Sequence, residues 1–546
     1  MTDAPVHEEL TRARPNIVLI MVDDMGFSDI GRYGSEIATP HLDRLAQGGV
    51  AFSQMYNCAR CCPTRASILT GLLPHQAGVG GMTGDMGTPA YQGYLNDRCV
   101  TVAEALKAAG YRTYMSGKWH CGGPYDVRRP ETWAPGDATH PTPNTRGFDE
   151  YYGMLSGAGN YFAPPTLIHN DTWAAPEGDG WYFTDAISDH AVRMIEDAAR
   201  HRDAPDDAAA TPFFLYVAYT APHWPLHAPA ETIERYRGTY ACGWDAVRTR
   251  RHETLKAGGL LDPAWPISPR DDAAGPWDDV PDKDLEDARM AVYAAQVDRM
   301  DQGVGLILDA LDHLGIADDT MVLFLSDNGG CHEFLGPDAA WCRRLNTPLP
   351  GGREVRMGNL PGVYPGPADT YQSYQLPWAN ASNTPFRLFK HWVHEGGIAT
   401  PLIVRYPGVA AAGAISHAVS HVIDVLPTCL DAAGATYPAE HDGREITPTP
   451  GRSMMPFLRG EADRDGRVVY WEHEGNLAVR RGRWKLVAKF DRERTGPWEL
   501  YDMVADRTEL HDLAAAKADV AGELAALHGE WCDRIGAVPW ERLTRR

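Results

Sequence analysis

A rhythm in the chain constrains its fold most strongly. Five runs, NIVLIMV (residues 16–22), YRTYMS (111–116), FFLYVAY (213–219), TMVLFLS (320–326) and PLIVRY (401–406), are dominated by aliphatic, β-branched and aromatic side chains. Runs this short and apolar read as strands covered on both faces. Amphipathic stretches stand between them: TVAEALKAAG from Thr101, DAISDHAVRMIEDAARH from Asp185, DLEDARMAVYAAQVDRMDQGVGLILDALDHLG from Asp284 and SHVIDVLPTCLDAAG from Ser420. The alternation predicts an α/β fold, a large mostly parallel sheet sandwiched by helices. Two long Gly- and Pro-rich stretches, residues 122–184 and 329–396, interrupt it. Loops of that length in a compact chain serve as walls or lids of a site.

The tail changes character. GRVVYWEHEGNLAVRRGRWKLVAKF reads as an antiparallel strand meander, with a helix from about Ala514. The expected organisation is an α/β body over residues 14–465 and a small C-terminal α+β domain over 466–546. At 546 residues the chain is too long for one ordinary core, which agrees with that division.

The net charge of −22 excludes a nucleic-acid partner, because nothing here would displace counterions from phosphates. An anionic small substrate remains allowed, provided its site is locally basic. The first residues, MTDAPVHEELTRARPN, hold no apolar run of a secretory signal. The longest apolar stretches, such as PFFLYVAY, fall short of the roughly 20 residues of a membrane span. No membrane partner is therefore expected; a cytoplasmic location is, with the ten cysteines mostly free thiols.

In an open α/β sheet, ligands bind beyond the carboxyl ends of the strands. Four of the predicted strands run into polar groups there: Asp23-Asp24 after the first, Lys118 and His120 in GKWH after the second, His223 in APHWPLHAP after the third, and Asp327-Asn328 after the fourth. Singly, each reads as a turn, a cap or a satisfied polar residue. Jointly they bring three carboxylates, an amide, two imidazoles and an ammonium to one edge. The acidic and amide oxygens are hard donors suited to Ca2+, Mg2+ or Mn2+. Lysines and histidines beside them suit an anionic group that straddles the cation, with imidazoles moving protons.

Three cysteines crowd the stretch CARCCPTR, Cys58, Cys61 and Cys62. Cys58 and Cys61 make a CxxC, yet no second pair follows at the spacing of a structural zinc site. The larger pattern is Cys61-x-Pro63-x-Arg65, then Leu69-Thr70-Gly71. This C-x-P-x-R-x-x-x-L-T-G sequence, together with PNIVLIMVDDMGFSDIGRYG, AGYRTYMSGKWH, APHWPLHAP, FLSDNGG and NTPFRLFKHWVHEGGIATPLIVRYPG, resembles the blocks of the formylglycine-dependent (type I) sulfatases, bacterial arylsulfatases above all, in their family order. The resemblance covers nearly the whole chain. Two departures are Cys121, where leucine commonly follows the histidine, and Cys62, which doubles the motif cysteine at a variable position and is expected to stay a thiol.

The resemblance implies an alkaline-phosphatase-like mixed sheet and hydrolysis of sulfate monoesters, aryl sulfates foremost. It implies that a maturation enzyme converts Cys61 to Cα-formylglycine. It implies Ca2+ (less readily Mg2+ or Mn2+) held by Asp23, Asp24, Asp327, Asn328 and residue 61. Arg65, Lys118, His120, His223 and Lys390 then match the family's basic groups, with Lys118, His223 and Lys390 on the substrate. The logic is chemical: a hydrated aldehyde carries two hydroxyls on one carbon, so one attacks sulfur and the other expels sulfate, which a serine or cysteine could not do. Related phosphonate monoester and phosphate diester hydrolases form the alternative; they tend to carry Asp-His where this chain has Asp327-Asn328. His75, Ser156 and His227 lie near these residues and read as structural. Tyr151, Tyr152, Tyr161, Phe162 and Trp378 in the long loops either receive a flat leaving group or pack the loops.

Overall fold

The computed structural model describes residues 14–202, 211–337, 342, 346, 349–463, 466–491 and 494–544. An eleven-stranded mixed sheet runs through the body: β1 (Asn16–Asp23), β2 (Val50–Tyr56), β3 (Arg112–Gly117), β4 (Glu150–Met154), β5 (Leu167–His169), β6 (Thr172–Trp173), β7 (Phe213–Pro222), β8 (Thr320–Ser326), β9 (Ala399–Arg405), β10 (Ala414–Ser416) and β11 (Ser420–His421). Across the sheet the order is β10-β2-β9-β8-β1-β7-β3-β4-β5-β6, with β11 also paired to β2. The four strands expected to carry the site, β8, β1, β7 and β3, are consecutive neighbours and mutually parallel. Their carboxyl ends therefore meet at one edge.

Both faces of this centre are covered, which is why its strands are apolar throughout. Val18, Ile20 and Val22 of β1 pack in one core with the helices Phe183–Arg202 and Lys283–His313. Ile17, Leu19 and Met21 point the other way, into a core shared with the helices Cys61–Thr70, Val102–Ala108 and Val425–Ala433. The period of two along β1 divides one strand between two cores. The helix at Val102 starts on a reciprocal cap: Thr101 Oγ1 accepts from the Glu104 amide at 3.1 Å, and the Glu104 carboxylate accepts from the Thr101 amide.

The structure adds elements that the residue pattern did not reveal. β2, in VAFSQMY, is broken by Ser53 and Gln54 and so lacks an apolar signature. β9 corresponds to the run PLIVRY but lies antiparallel to both β8 and β2. The stretch 122–184 is not all loop: β4, β5 and β6 extend the sheet at its edge, each too short to show a period.

The tail forms a second sheet, β12 (Val468–His473), β13 (Asn476–Arg481), β14 (Trp484–Ala488) and β15 (Glu499–Asp502), antiparallel in chain order. One face packs Val479, Leu486 and Leu500 against Leu524 of the helix Ala518–Ile535. The other turns Val469, Trp471, Ala478, Val487 and Tyr501 into the core of the body. The expected boundary at 465/466 falls beside residues 464–465, which lie outside the described residues, as does the segment 1–13 on which the reading of the N-terminus rests. Among the described residues no helix is long and apolar enough to cross a membrane.

Candidate active site

Cys61 opens the helix Cys61–Thr70, all ten residues of which are buried. Pro63 stands in the first turn, where a backbone N–H has no partner within the helix, so a proline is tolerated there. Gly71 ends the helix in the left-handed region at φ 68°. A Cβ at that position would come within 2.9 Å of Thr449 Oγ1. Arg65 lies one turn beyond Cys61 and is fully buried. It donates from Nη2 to Asp327 Oδ2 and from Nη1 to the Lys118 carbonyl, each at 3.0 Å. The fixed positions of the motif thus start the helix, end it, and tie it to the strand ends beside it.

At those strand ends the predicted residues converge. Asp23 pairs with Lys118 and lies 3.6 Å from Arg65. Asp24 Oδ1 receives Lys390 Nζ at 2.6 Å and Asn328 Nδ2 at 2.7 Å, and the Asp24 amide donates to Asp327 Oδ1 at 3.2 Å. His223 Nε2 lies 3.4 Å from Asp24 Oδ2, while its Nδ1 donates to the Trp224 carbonyl at 2.6 Å. His120 has ligand-bearing atoms within 4.8 Å of the Cys61 and Cys62 sulfurs. Asp24 and His120 both occupy positive φ, 65° and 55°, a backbone state costing about 1 kcal/mol or more that surrounding structure must impose. All ten residues belong to one buried cluster.

Its charges are mutually tuned. Against burial, Lys118, His223 and Arg65 hold the Asp23 carboxyl down, at about 2. Burial and neighbouring Asp23 push Asp327 well above the carboxylate range. The Cys61 thiol is held far below its usual value by the hydrogen bond from Cys62 and, against burial, by His120, Lys118 and Lys390. Burial drives the His120 imidazole down to about 4. Burial also lowers His223, opposed by Asp24. Asp23 Oδ1, Asp24 Oδ2 and Asn328 Oδ1 are buried without a hydrogen-bond partner. Three orphaned oxygens among closely set carboxylates are a donor set that a hard divalent cation fits.

Other residues of the cluster escaped the sequence reading. Glu333 receives Arg60 at 3.0 Å on one oxygen and Trp224 Nε1 at 2.9 Å on the other. It therefore joins the residue before Cys61 to the residue after His223. Only its position five residues past Asn328 hinted at this. Tyr151, Tyr152, Tyr161 and Trp378 are buried in the two cores and Phe162 is half-buried against Tyr182, so of the two readings it is the packing one that holds. His75 pairs with Glu472 of β12 at 2.6 Å, His227 donates to the Thr370 carbonyl at 2.6 Å, and Ser156 shares a hydrogen bond with Thr166 at 2.8 Å; all three are structural.

Comparison with known proteins gives the family. The family model Sulfatase matches residues 15–435, and the model N-sulphoglucosamine sulphohydrolase, C-terminal, matches residues 386–528. An uncharacterised sulfatase of Schizosaccharomyces pombe is 33% identical over 540 residues, covering 94% of this chain and 92% of that protein. An arylsulfatase of Klebsiella aerogenes is also 33% identical, over 77% of this chain and 87% of its own. Among solved structures, Ps i-CgsB in complex with k-i-k-neocarrahexaose matches with a TM-score of 0.64 at 25% identity, over 95% of this chain and 92% of that one. The chain belongs to the sulfatase family, whose members hydrolyse sulfate esters.

Proposed function

We propose that the chain hydrolyses sulfate monoesters, aryl sulfates among them, with Cys61 converted by a maturation enzyme to Cα-formylglycine and a Ca2+ ion beside it. The carrying observation is the convergence of Asp23, Asp24, Asp327, Asn328, Lys118, Lys390, His120, His223 and Arg65 around the N-terminus of the Cys61 helix. The named arylsulfatase relative and Phe334, 60% exposed beside Glu333, support an apolar leaving group.

Asp23, Asp24, Asp327 and Asn328, with residue 61, would hold the cation, which supplies Lewis acidity toward the sulfate and the nucleophile when bound. Asp327 accepts the proton of the attacking hydroxyl, and Arg65 fixes the carboxylate that does so. Lys118 and Lys390 bring positive charge to the non-bridging sulfate oxygens. His223 is oriented by its Nδ1–H bond to the Trp224 carbonyl, which leaves Nε2 to protonate the leaving oxygen. His120 is kept neutral by burial and takes the proton whose loss releases sulfate.

Four measurements test this reading. Mass spectrometry of the Cys61 peptide from fully active enzyme should show the aldehyde or its hydrate; an intact thiol there would overturn it. kcat/KM for 4-nitrophenyl sulfate should exceed that for a phosphate diester, and the reverse order would favour the phosphonate and phosphodiester reading. Chelation should remove activity, and Ca2+ should restore it. His223→Ala should lower kcat by about 10^2-fold or more for an alkyl sulfate and less for 4-nitrophenyl sulfate, whose phenolate leaves without a proton. Equal losses for both would take the acid role away from His223.

A further inference from the structure

The reaction leaves the second cysteine of the doublet, Cys62, without a role. Cys61 Sγ, Cys62 Sγ and a ring nitrogen of His120 lie within 4.8 Å of one another, and all three residues are buried. His120 Nδ1 has no hydrogen-bond partner although the residue is only 6% exposed. A fourth soft donor stands next to them: the Met82 thioether lies 3.6 Å from Cys62 Sγ. The CxxC spacing had suggested Cys58 with Cys61, but Cys58 is turned away, its thiol on Ser67 Oγ at 3.4 Å.

We propose that the folded chain with Cys61 still a thiol binds a thiophilic d10 cation, Zn2+, through Cys61, Cys62 and His120. Two sulfurs and an imidazole are the ligands that zinc selects over the hard cations of the neighbouring carboxylates. Zinc bonds of about 2.3 Å to sulfur in a tetrahedron set sulfurs about 3.8 Å apart, so the side chains need close by only about 1 Å. Lys118, Lys390 and Arg65 crowd this place with positive charge, yet the site remains compatible with them. When both thiols give up their protons to solvent, the dithiolate and the dication sum to zero, and no charge is added to the pocket. Met82 or a water completes the shell. Cys61 is also the sulfur oxidised in the proposed activation, so a zinc-loaded chain would stay unconverted; that consequence rests on the proposed function, whereas the metal site does not.

The full chain, produced in a host lacking the maturation activity and saturated with Ca2+, provides the test. Titration with Co2+ is expected to raise a thiolate-to-metal charge-transfer band that saturates at one equivalent and is bleached by Zn2+. Cys62→Ala should weaken Co2+ binding by about tenfold or more, and Cys58→Ala should leave it unchanged. Chain whose Cys61 has been converted should lack the band. No band, an affinity unaltered by Cys62→Ala, or equal binding by converted chain would each overturn the proposal. Failure of Cys61 to be converted in any host would count against the proposed function while leaving the titration readable.

Discussion

Cys61→Ala is expected to abolish sulfate ester turnover, with kcat reduced by on the order of 10^4-fold or more. The surrounding structure should survive. The residue opens a buried helix, and alanine removes one sulfur without disturbing Pro63, the Gly71 cap or the bonds of Arg65 to Asp327 and Lys118. The loss is therefore chemical, and circular dichroism with an unchanged denaturation midpoint should show that. Cys62→Ala, one residue away, should keep most of kcat, because that thiol faces Gly81 and Met82 and lies outside the proposed chemistry. Cys61→Ser sharpens the distinction. Its hydroxyl can attack sulfur once, but it carries no second hydroxyl to expel the sulfate. A single equivalent of phenol per chain, followed by silence, is expected from 4-nitrophenyl sulfate. Multiple turnovers by Cys61→Ala or Cys61→Ser would place the nucleophile elsewhere.

Much of this site is legible in the sequence because sheet physics writes it into the chain. Buried parallel strands must be apolar, so a run that stops at Asp23-Asp24 or at Asp327-Asn328 marks both the end of a strand and the edge where ligands bind. What could not be read is pairing across long separations. Nothing near Arg65 says that its guanidinium meets Asp327, 262 residues away. Glu333 likewise looks like a loop acid until Arg60 and Trp224 are seen on its two oxygens. Lys390 is recognisable only from family likeness, since it sits in a turn outside any strand and its partner Asp24 follows the end of β1. The direction of β9 is hidden for a related reason: an apolar strand looks the same in either orientation, and only its pairing with β8 and β2 shows it antiparallel. The loop aromatics carried no orientation signal at all.

Glu395 ties the tail to the body through buried charge, and its removal should be strongly destabilising. It is fully buried five residues after Lys390. Its Oε1 receives Lys485 of β14 at 2.9 Å, and its Oε2 receives Arg507 Nε at 2.9 Å and the Tyr56 hydroxyl at 3.0 Å. Glu509 completes the set: one oxygen meets Lys485 at 2.7 Å and the other accepts the Glu395 amide at 3.0 Å. Two carboxylates thus face Lys485 and Arg507 directly, with the buried Arg480 guanidinium behind the Tyr56 hydroxyl. Glu395→Gln would take from Arg507 its carboxylate partner away from water and leave Lys485 with Glu509 alone, an imbalance worth about 3–5 kcal/mol. Urea unfolding followed by tryptophan fluorescence should register it. The same bonds make the protein acid-labile. Against burial, Lys485 and Arg507 hold the Glu395 carboxyl at about 2, below its ordinary 4.5. A depressed carboxylate stabilises the fold above its unfolded value and loses that contribution as pH falls from 4.5 toward 2. Glu395→Gln should flatten this acid limb. Adding Lys485→Met to Glu395→Gln removes one charge of each sign, so the double variant should be less destabilised than the sum of the two single changes. Strict additivity, or a loss below about 1 kcal/mol for Glu395→Gln, would show that the charge cluster does not hold the two sheets together.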